Sequence, residues 1–328
     1  MKTRDKMFFS GLPAAVLAAV ILASGCAPKT ATELPDVPRT IVLGDAGWES
    51  LGINNRIARQ IIERGYGYRA DIFTEEEDRV REGLGTGAVD VLMEYWIYDR
   101  DEYGRLLSSG VYAEMAENFR GREGIWVPAY VIEGDAERGI EPMAPGLKTV
   151  RDLAAHAELF AGVFHNGVSG WPAVEINRAK FSGYGLDGLY DLVTYDFSAG
   201  LDDSLAAAYR AGRPWVGYYW TPSTVMGRYA LRLLEEDPFD ETVWAESRLC
   251  AYPESVVAVV VNGDFPEKFP DLAGFLQNYS PGTGLINELL LRMDREGLTE
   301  EESALRFIRE REDIWTNWVP AEVAERIR

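Results

Sequence analysis

The chain has 328 residues, 47% of them hydrophobic and 26% charged, with a formal net charge of −20. That length is enough for two cores, and so acidic a balance argues against nucleic acid or an anionic membrane surface as a partner. With two cysteines and two histidines in all, a thiolate or multi-histidine metal centre is excluded.

Residues 1–25 read as a secretory signal peptide. Lys2, Arg4 and Lys6 precede the apolar run FFSGLPAAVLAAVILA, and small residues lead to Cys26. Small residues directly before a cysteine resemble a bacterial lipobox, so Cys26 is the expected lipid-attachment site. A plain signal peptide or an uncleaved anchor are the alternatives; a spanning helix is disfavoured by the short run and Pro13. Removing residues 1–25 takes away three basic residues and one acidic residue, which moves the net charge to −22. If Cys26 carries lipid, Cys250 has no intramolecular disulfide partner. Residues 26–39, with Pro28, Pro35 and Pro38, read as a semi-extended tether.

From Thr40 the pattern alternates strand and helix. TIVLG (40–44) is a short strand, and Ile53, Ile57 and Ile61 mark one face of a helix. YRADIF (68–73) is a second strand, and Thr74 with Glu77 in TEEE predicts a capping box opening a helix that ends near EGLGTG. VDVLMEYW (89–96) is the third strand, and this βαβαβ start implies a parallel sheet covered by helices. KTVRDLAAHAELF reads as helix, AGVFHNG as strand and loop, and WPAVEINRAKFSGYG as a helix with Pro172 in its first turn. DSLAAAYRAG is a further helix, PWVGYYW a strand, and SVVAVVV (255–261) a buried strand. PEKFPDLAGFLQNY, a second capping box at Thr299 and Glu302, and IWTNWVPAEVAERI close the chain. The expected architecture is α/β, in two lobes: 40–130 plus 256–328, and 131–255. Extended crossings at 126–133 and 251–258 would join them, with the ligand cleft between.

Motifs for catalysis are lacking. GVSGW (167–171) lacks the second glycine of GxSxG, and neither HExxH nor GxxxxGK[ST] occurs. The glycines of EGLGTGAVD follow a helix and precede a strand, the reverse of a Rossmann loop, and read as a helix C-cap. The acidic clusters 75–78 and 235–238 read as solvated faces and caps.

The tryptophans carry more information. Trp48 follows the first strand, Trp96 ends the third, Trp171 opens a helix after FHNGVSG, and Trp220 ends GYYW. Any one alone reads as core; four at equivalent βα positions in both lobes read as a site. Indole faces attract a diffuse cation by roughly 0.5–2 kcal/mol per contact. A quaternary ammonium has no N–H to donate, so a box of aromatic faces suits it. The other five tryptophans have no such placement and read as structural.

These features resemble the glycine betaine/choline/carnitine substrate-binding proteins of ABC importers. The matching stretches are GDAGWES, GTGAVDVLMEYW, FRGREGIWVPAYV, GWPAVEINRA, GYYWTPSTVM and REREDIWTNWV. They are weak singly and specific in this order, and they cover essentially the whole mature chain. The resemblance implies a type II two-lobed periplasmic-binding-protein fold that closes by a hinge on an aromatic cage. Carried over by position, Trp96, Trp171 and Trp220 resemble cage tryptophans, and Trp48 an aromatic that some members add. Tyr130 resembles a cage or rim residue, or else packs the hinge. Glu94, on the Trp96 face of its strand, supplies negative charge near the cation or a cleft-edge salt bridge. Family members that bind glycine betaine often hold its carboxylate with backbone N–H groups after the Trp171-like position. Pro172 has none here, which leaves Ala173 and Val174 at the helix N-terminus, Arg100 or Ser169 to assist, and keeps choline or a larger betaine open.

The sequence thus points to a monomeric extracytoplasmic lipoprotein that hands a quaternary ammonium solute to an ABC permease and its ATPase, with no cofactor and no chemistry of its own. A binding protein for an amino acid, sulfonate or peptide would use the tryptophans as an apolar floor instead. An exported enzyme would need a nucleophile–base pair, with only His156 and His165 available. A sensor would use the same closure as an importer.

Overall fold

The computed structural model describes residues 40–328. The signal peptide, Cys26 and the tether lie outside the described residues. The first three strands are β1 (Thr40–Asp45), β2 (Arg69–Thr74) and β3 (Val91–Trp96). β1 pairs in parallel with both of the others. The helix Glu49–Ile61 covers them through the isoleucines read from the sequence, Ile53, Ile57 and Ile61, all fully buried. β3 is buried at every position, as a central strand covered on both faces requires.

β4 (Tyr112–Pro128) is 17 residues long and belongs to both halves of the sheet. Its first part, Tyr112 to Gly121, pairs antiparallel with β9 (Ser255–Asn262). From Arg122 it pairs antiparallel with β7 (Gly217–Thr221), and Trp126 to Pro128 pair with the short β8 (Leu231–Leu233). β5 (Val163–Val168) lies parallel to β7 and to the edge strand β6 (Asp191–Tyr195). The order is β2-β1-β3-β9-β4-β7-β5-β6, with β8 beside β4. The fold is therefore the mixed α/β, two-lobed binding-protein architecture expected. Both halves repeat one winding: β2-β1-β3 and β6-β5-β7 each run parallel and meet the shared strand β4, the first through β9 and the second directly.

Local expectations met mixed outcomes. Pro172 does open the helix Pro172–Gly183, and Thr299 with Glu302 closes a reciprocal capping box. The Thr74–Glu77 box does not form. Thr74 finishes β2, the helix begins at Glu77 itself, and Glu77 turns its carboxylate to Arg81 one turn on. Arg81 offers a charged fork in a buried setting, a stronger partner than an exposed backbone N–H. The segment KTVRDLAAHAELF forms a 3₁₀ helix, Val150–His156, and then turns. Ala161 and Gly162 at φ 53° and 64° then reverse the chain into β5. Among the described residues no helix is long and apolar enough to cross a membrane.

Candidate functional site

One local device delivers a tryptophan in each half. β1 leads through Gly47 (φ 85°) to Trp48, the residue capping the helix Glu49–Ile61. β5 leads through Gly170 (φ 82°) to Trp171, which caps Pro172–Gly183. Positive φ turns the chain sharply at each glycine, at little steric cost to that residue, and swings the following indole inward. Trp96 and Trp220 arrive differently, as the end of β3 and the penultimate residue of β7.

The four meet. They line one pocket with Glu77, Tyr98 and Tyr218. The Trp171 ring stands edge-on to Trp48 (centroids 5.9 Å apart, planes at 88°) and to Trp220 (5.0 Å, 84°). Trp220 is stacked at 4.8 Å on Tyr219, whose hydroxyl donates to Asp202. All four indoles are at most 7% exposed. Among the described residues no lysine or arginine lines the pocket, and its one carboxylic acid is Glu77, paired at 2.8 Å with Arg81. Burial raises the Glu77 carboxyl above its ordinary range while Arg81 pulls it back.

Two further carboxylates stand behind the aromatic wall. Glu94 on β3 is fully buried and accepts from Trp48 Nε1 (2.6 Å), Ser50 Oγ (3.0 Å) and Asn54 Nδ2 (2.7 Å). Glu123 on β4, opposite Trp220 in register, accepts from the hydroxyls of Tyr218 and Ser255. Burial pushes each carboxyl up to about 7, against the pull of those neutral donors.

The other sequence candidates sit elsewhere. Tyr130 gives its hydroxyl to the carbonyls of Arg213 (2.7 Å) and Ala208 (3.3 Å), packed on Tyr209 and away from the pocket. Arg100 is exposed and lines a separate recess with Phe239, Glu241 and Trp244. Ser169 is exposed in a recess on the far side of Trp171, beside Asp196 and Phe197. Ala173 is fully buried outside the lining, and the Val174 N–H is taken by the Trp171 carbonyl at 3.0 Å. Sequence reasoning missed Tyr98, Tyr218, Glu77 and Glu123. Tyr218 stands two residues before Trp220 on β7, the spacing that shares a strand face; Tyr98 lies two residues past Trp96, just beyond the end of β3. Trp244, read as structural, reaches across to the Tyr98 carbonyl with its Nε1 at 3.1 Å.

Comparison with known proteins accords with this geometry. The family described as the substrate binding domain of ABC-type glycine betaine transport systems matches residues 39–310. A curated relative, the trimethylamine N-oxide-binding protein of Pelagibacter ubique (strain HTCC1062), is 27% identical over 135 residues. That match covers 39% of this chain and 43% of the relative, so it spans less than half of its length. Among solved structures, the glycine betaine/L-proline-binding protein of a Borrelia burgdorferi ABC transporter superposes with a TM-score of 0.73 at 18% identity, over 88% of this chain and 100% of that one. An ABC-transporter choline-binding protein in complex with choline gives 0.73 at 19% identity, over 88% and 96%. At these identities the structures speak for the fold, and the match over residues 39–310 for the kinship. The chain belongs to the substrate-binding domain family of ABC-type glycine betaine transport systems.

Proposed function

We propose that the pocket walled by Trp48, Trp96, Trp171 and Trp220 cages the methylated ammonium head of a small osmolyte or nutrient, of glycine betaine type, for an ABC importer. The family consists of binding proteins, and the chain is a binder rather than an enzyme. One observation carries the reading: four indoles, two from strand ends and two from helix N-caps, converge on a single pocket whose lining, among the described residues, contains no cationic side chain. Such a pocket attracts a diffuse cation by its ring faces, roughly 0.5–2 kcal/mol per face. A primary amine is served poorly there, because its N–H groups would lose water for few acceptors.

Choline is a second reading, favoured by the acid in the lining. Glu77 borders the pocket, Pro172 lacks an N–H, and the Val174 N–H is already bonded. A ligand hydroxyl finds acceptors here more readily than a carboxylate finds donors. The trimethylamine head of an N-oxide or carnitine has the same cage requirement. Lobe closure is proposed to turn on the partner change of β4 at Gly121/Arg122 and on the entry to β9 at Ser255. We further propose lipid attachment at Cys26, a monomeric state, and delivery to a permease with its ATPase. Calorimetric titration with glycine betaine, choline, carnitine and trimethylamine N-oxide, with glycine as control, tests the cage. Heat from a methylated amine and none from glycine supports it; no heat from any methylated amine removes it.

A further inference from the structure

Glu94 and Glu123 are buried carboxylates that the cage reading leaves without a task. Neither lines the pocket, yet each is hydrogen-bonded to an aromatic residue that does. Glu94 accepts the indole N–H of Trp48, and Glu123 accepts the hydroxyl of Tyr218; Trp96 and Tyr98 stand close by. The two sit on different strands and between them reach both halves of the molecule, since Trp48, Trp96 and Tyr98 belong to the first half and Tyr218 to the second.

Their surroundings lack a counter-ion. The groups around Glu94 are Trp48, Ser50, Asn54 and Trp96, with Tyr279 behind Asn54. Around Glu123 stand Tyr98, Tyr218, Tyr252, Ser255 and the Glu77 carboxylate, whose own charge is engaged by Arg81. A buried charge with neutral partners alone is costly, so two carboxyls held this way beside a pocket are poised to ionise when a cation arrives from outside. We propose that Glu94 and Glu123 are the counter-charge of the caged ligand, acting through the aromatic groups they accept from and touching the ligand nowhere. This rests on the cage reading above and deepens it: the ligand's head must carry a formal positive charge, and methyl groups of the right shape are insufficient.

Two physical effects add. The Coulomb field of a carboxylate across a dry aromatic wall is weakly screened. A carboxylate that accepts an indole N–H also pushes electron density onto the ring, which strengthens the ring face toward a cation. In the empty protein each carboxyl tends to keep its proton around neutrality; a bound cation favours the charged form. Binding is therefore coupled to proton release.

The test uses the purified protein with choline and its neutral isostere 3,3-dimethylbutan-1-ol, titrated at pH 6 and pH 8. The variants are Glu94→Gln and Glu123→Gln, which keep an acceptor and remove the charge. Thermal unfolding confirms that each variant is folded. Expected are a choline Kd about tenfold weaker in each variant and an alcohol affinity that does not change. The wild type should bind choline more tightly at pH 8 than at pH 6, and the double variant should lose that slope. Choline and the alcohol weakening together would show that the glutamates merely pack the wall and would overturn the proposal. So would a wild-type choline Kd independent of pH. If the wild type binds none of choline, glycine betaine or carnitine, the cage reading itself falls and this proposal with it. Binding of the cation without the expected dependence on the glutamates leaves the cage and removes only the counter-charge.

Discussion

Replacing Trp171 by leucine tests the cage at its centre. This indole stands edge-on to both Trp48 and Trp220 and is 6% exposed. Removing it would take away one of the four faces proposed to meet the cation, roughly 0.5–2 kcal/mol, so affinity should fall by about 2- to 30-fold. The same change removes two edge-to-face pairs, each about 0.5–1.5 kcal/mol, so some loss of stability accompanies it. Leucine keeps part of the apolar volume and limits the cavity. The matched control is Trp215→Leu. Trp215 is just as buried, stacked at 5.2 Å on His165 and bonded to Ser204, but it does not line the pocket. Calorimetry with the tightest-binding methylated amine, beside urea unfolding of each protein, separates the two effects. Both variants should lose stability, and only Trp171→Leu should lose affinity. An affinity unchanged from wild type for Trp171→Leu, or an equal loss in Trp215→Leu, would refute the assignment of Trp171 to the cage.

Three further outcomes are expected. Ser198 Oγ bonds the Gly47 carbonyl at 2.5 Å, joining the rims on the two sides of the cleft. Ser198→Ala should speed ligand release about 2- to 10-fold for the loss of one hydrogen bond, as stopped-flow fluorescence of the cage tryptophans would record; unchanged release would exclude a latch. Glu94, Glu123 and Asp202 are each held up to about 7 by burial. The native state then keeps protons that the unfolded chain has lost, so their contribution is full below the ordinary carboxylate range and is lost as pH rises through about 7. Urea midpoints of the ligand-free protein should therefore fall from pH 5 to pH 8, and a rising curve would contradict the burial argument. Lys180 and Glu236 form a buried ion pair at 2.6 Å, and Tyr184 also donates to Glu236. Lys180→Met strands the carboxylate and should cost about 3–5 kcal/mol of stability without changing the affinity of the folded protein; denaturant unfolding and calorimetry read the two separately.

The sequence made the periodic and repeated features legible. The isoleucine spacing, the glycine C-cap after EGLGT, the N1 proline at Pro172 and the parallel winding were all readable, because each depends on neighbours within a few residues. The four tryptophans were readable because the fold repeats: two follow a glycine turn and two lie at strand ends, so their topological equivalence shows in the order of elements. β4 was not. YAEMAENFRGREGIWVP is rich in polar residues, and only pairing with β9 on one stretch and β7 on the next keeps it extended. Glu123 was hidden for the same reason, since GREGIW reads as a connection. Glu77 looked like the third residue of a capping box, but its carboxylate pairs with Arg81 one turn on, which also bonds the Trp96 carbonyl. Tyr130 shows the opposite error, an aromatic near a crossing whose hydroxyl is wholly taken by two carbonyls far along the chain.

β4 also has a mechanical consequence. It passes from one half of the molecule to the other while still hydrogen-bonded on its way, so the joint is a stretched ribbon and not slack cord. Gly121 sits where the ribbon changes partner, and a methyl group there would come within 2.5 Å of the Trp96 ring and 3.0 Å of the Thr221 carbonyl. Bending at that point therefore presses on a wall of the pocket itself. If lobe closure turns there as proposed, hinge angle and cage width would move as one coordinate, like the handles and jaws of pliers, and a side chain at position 121 would crowd both.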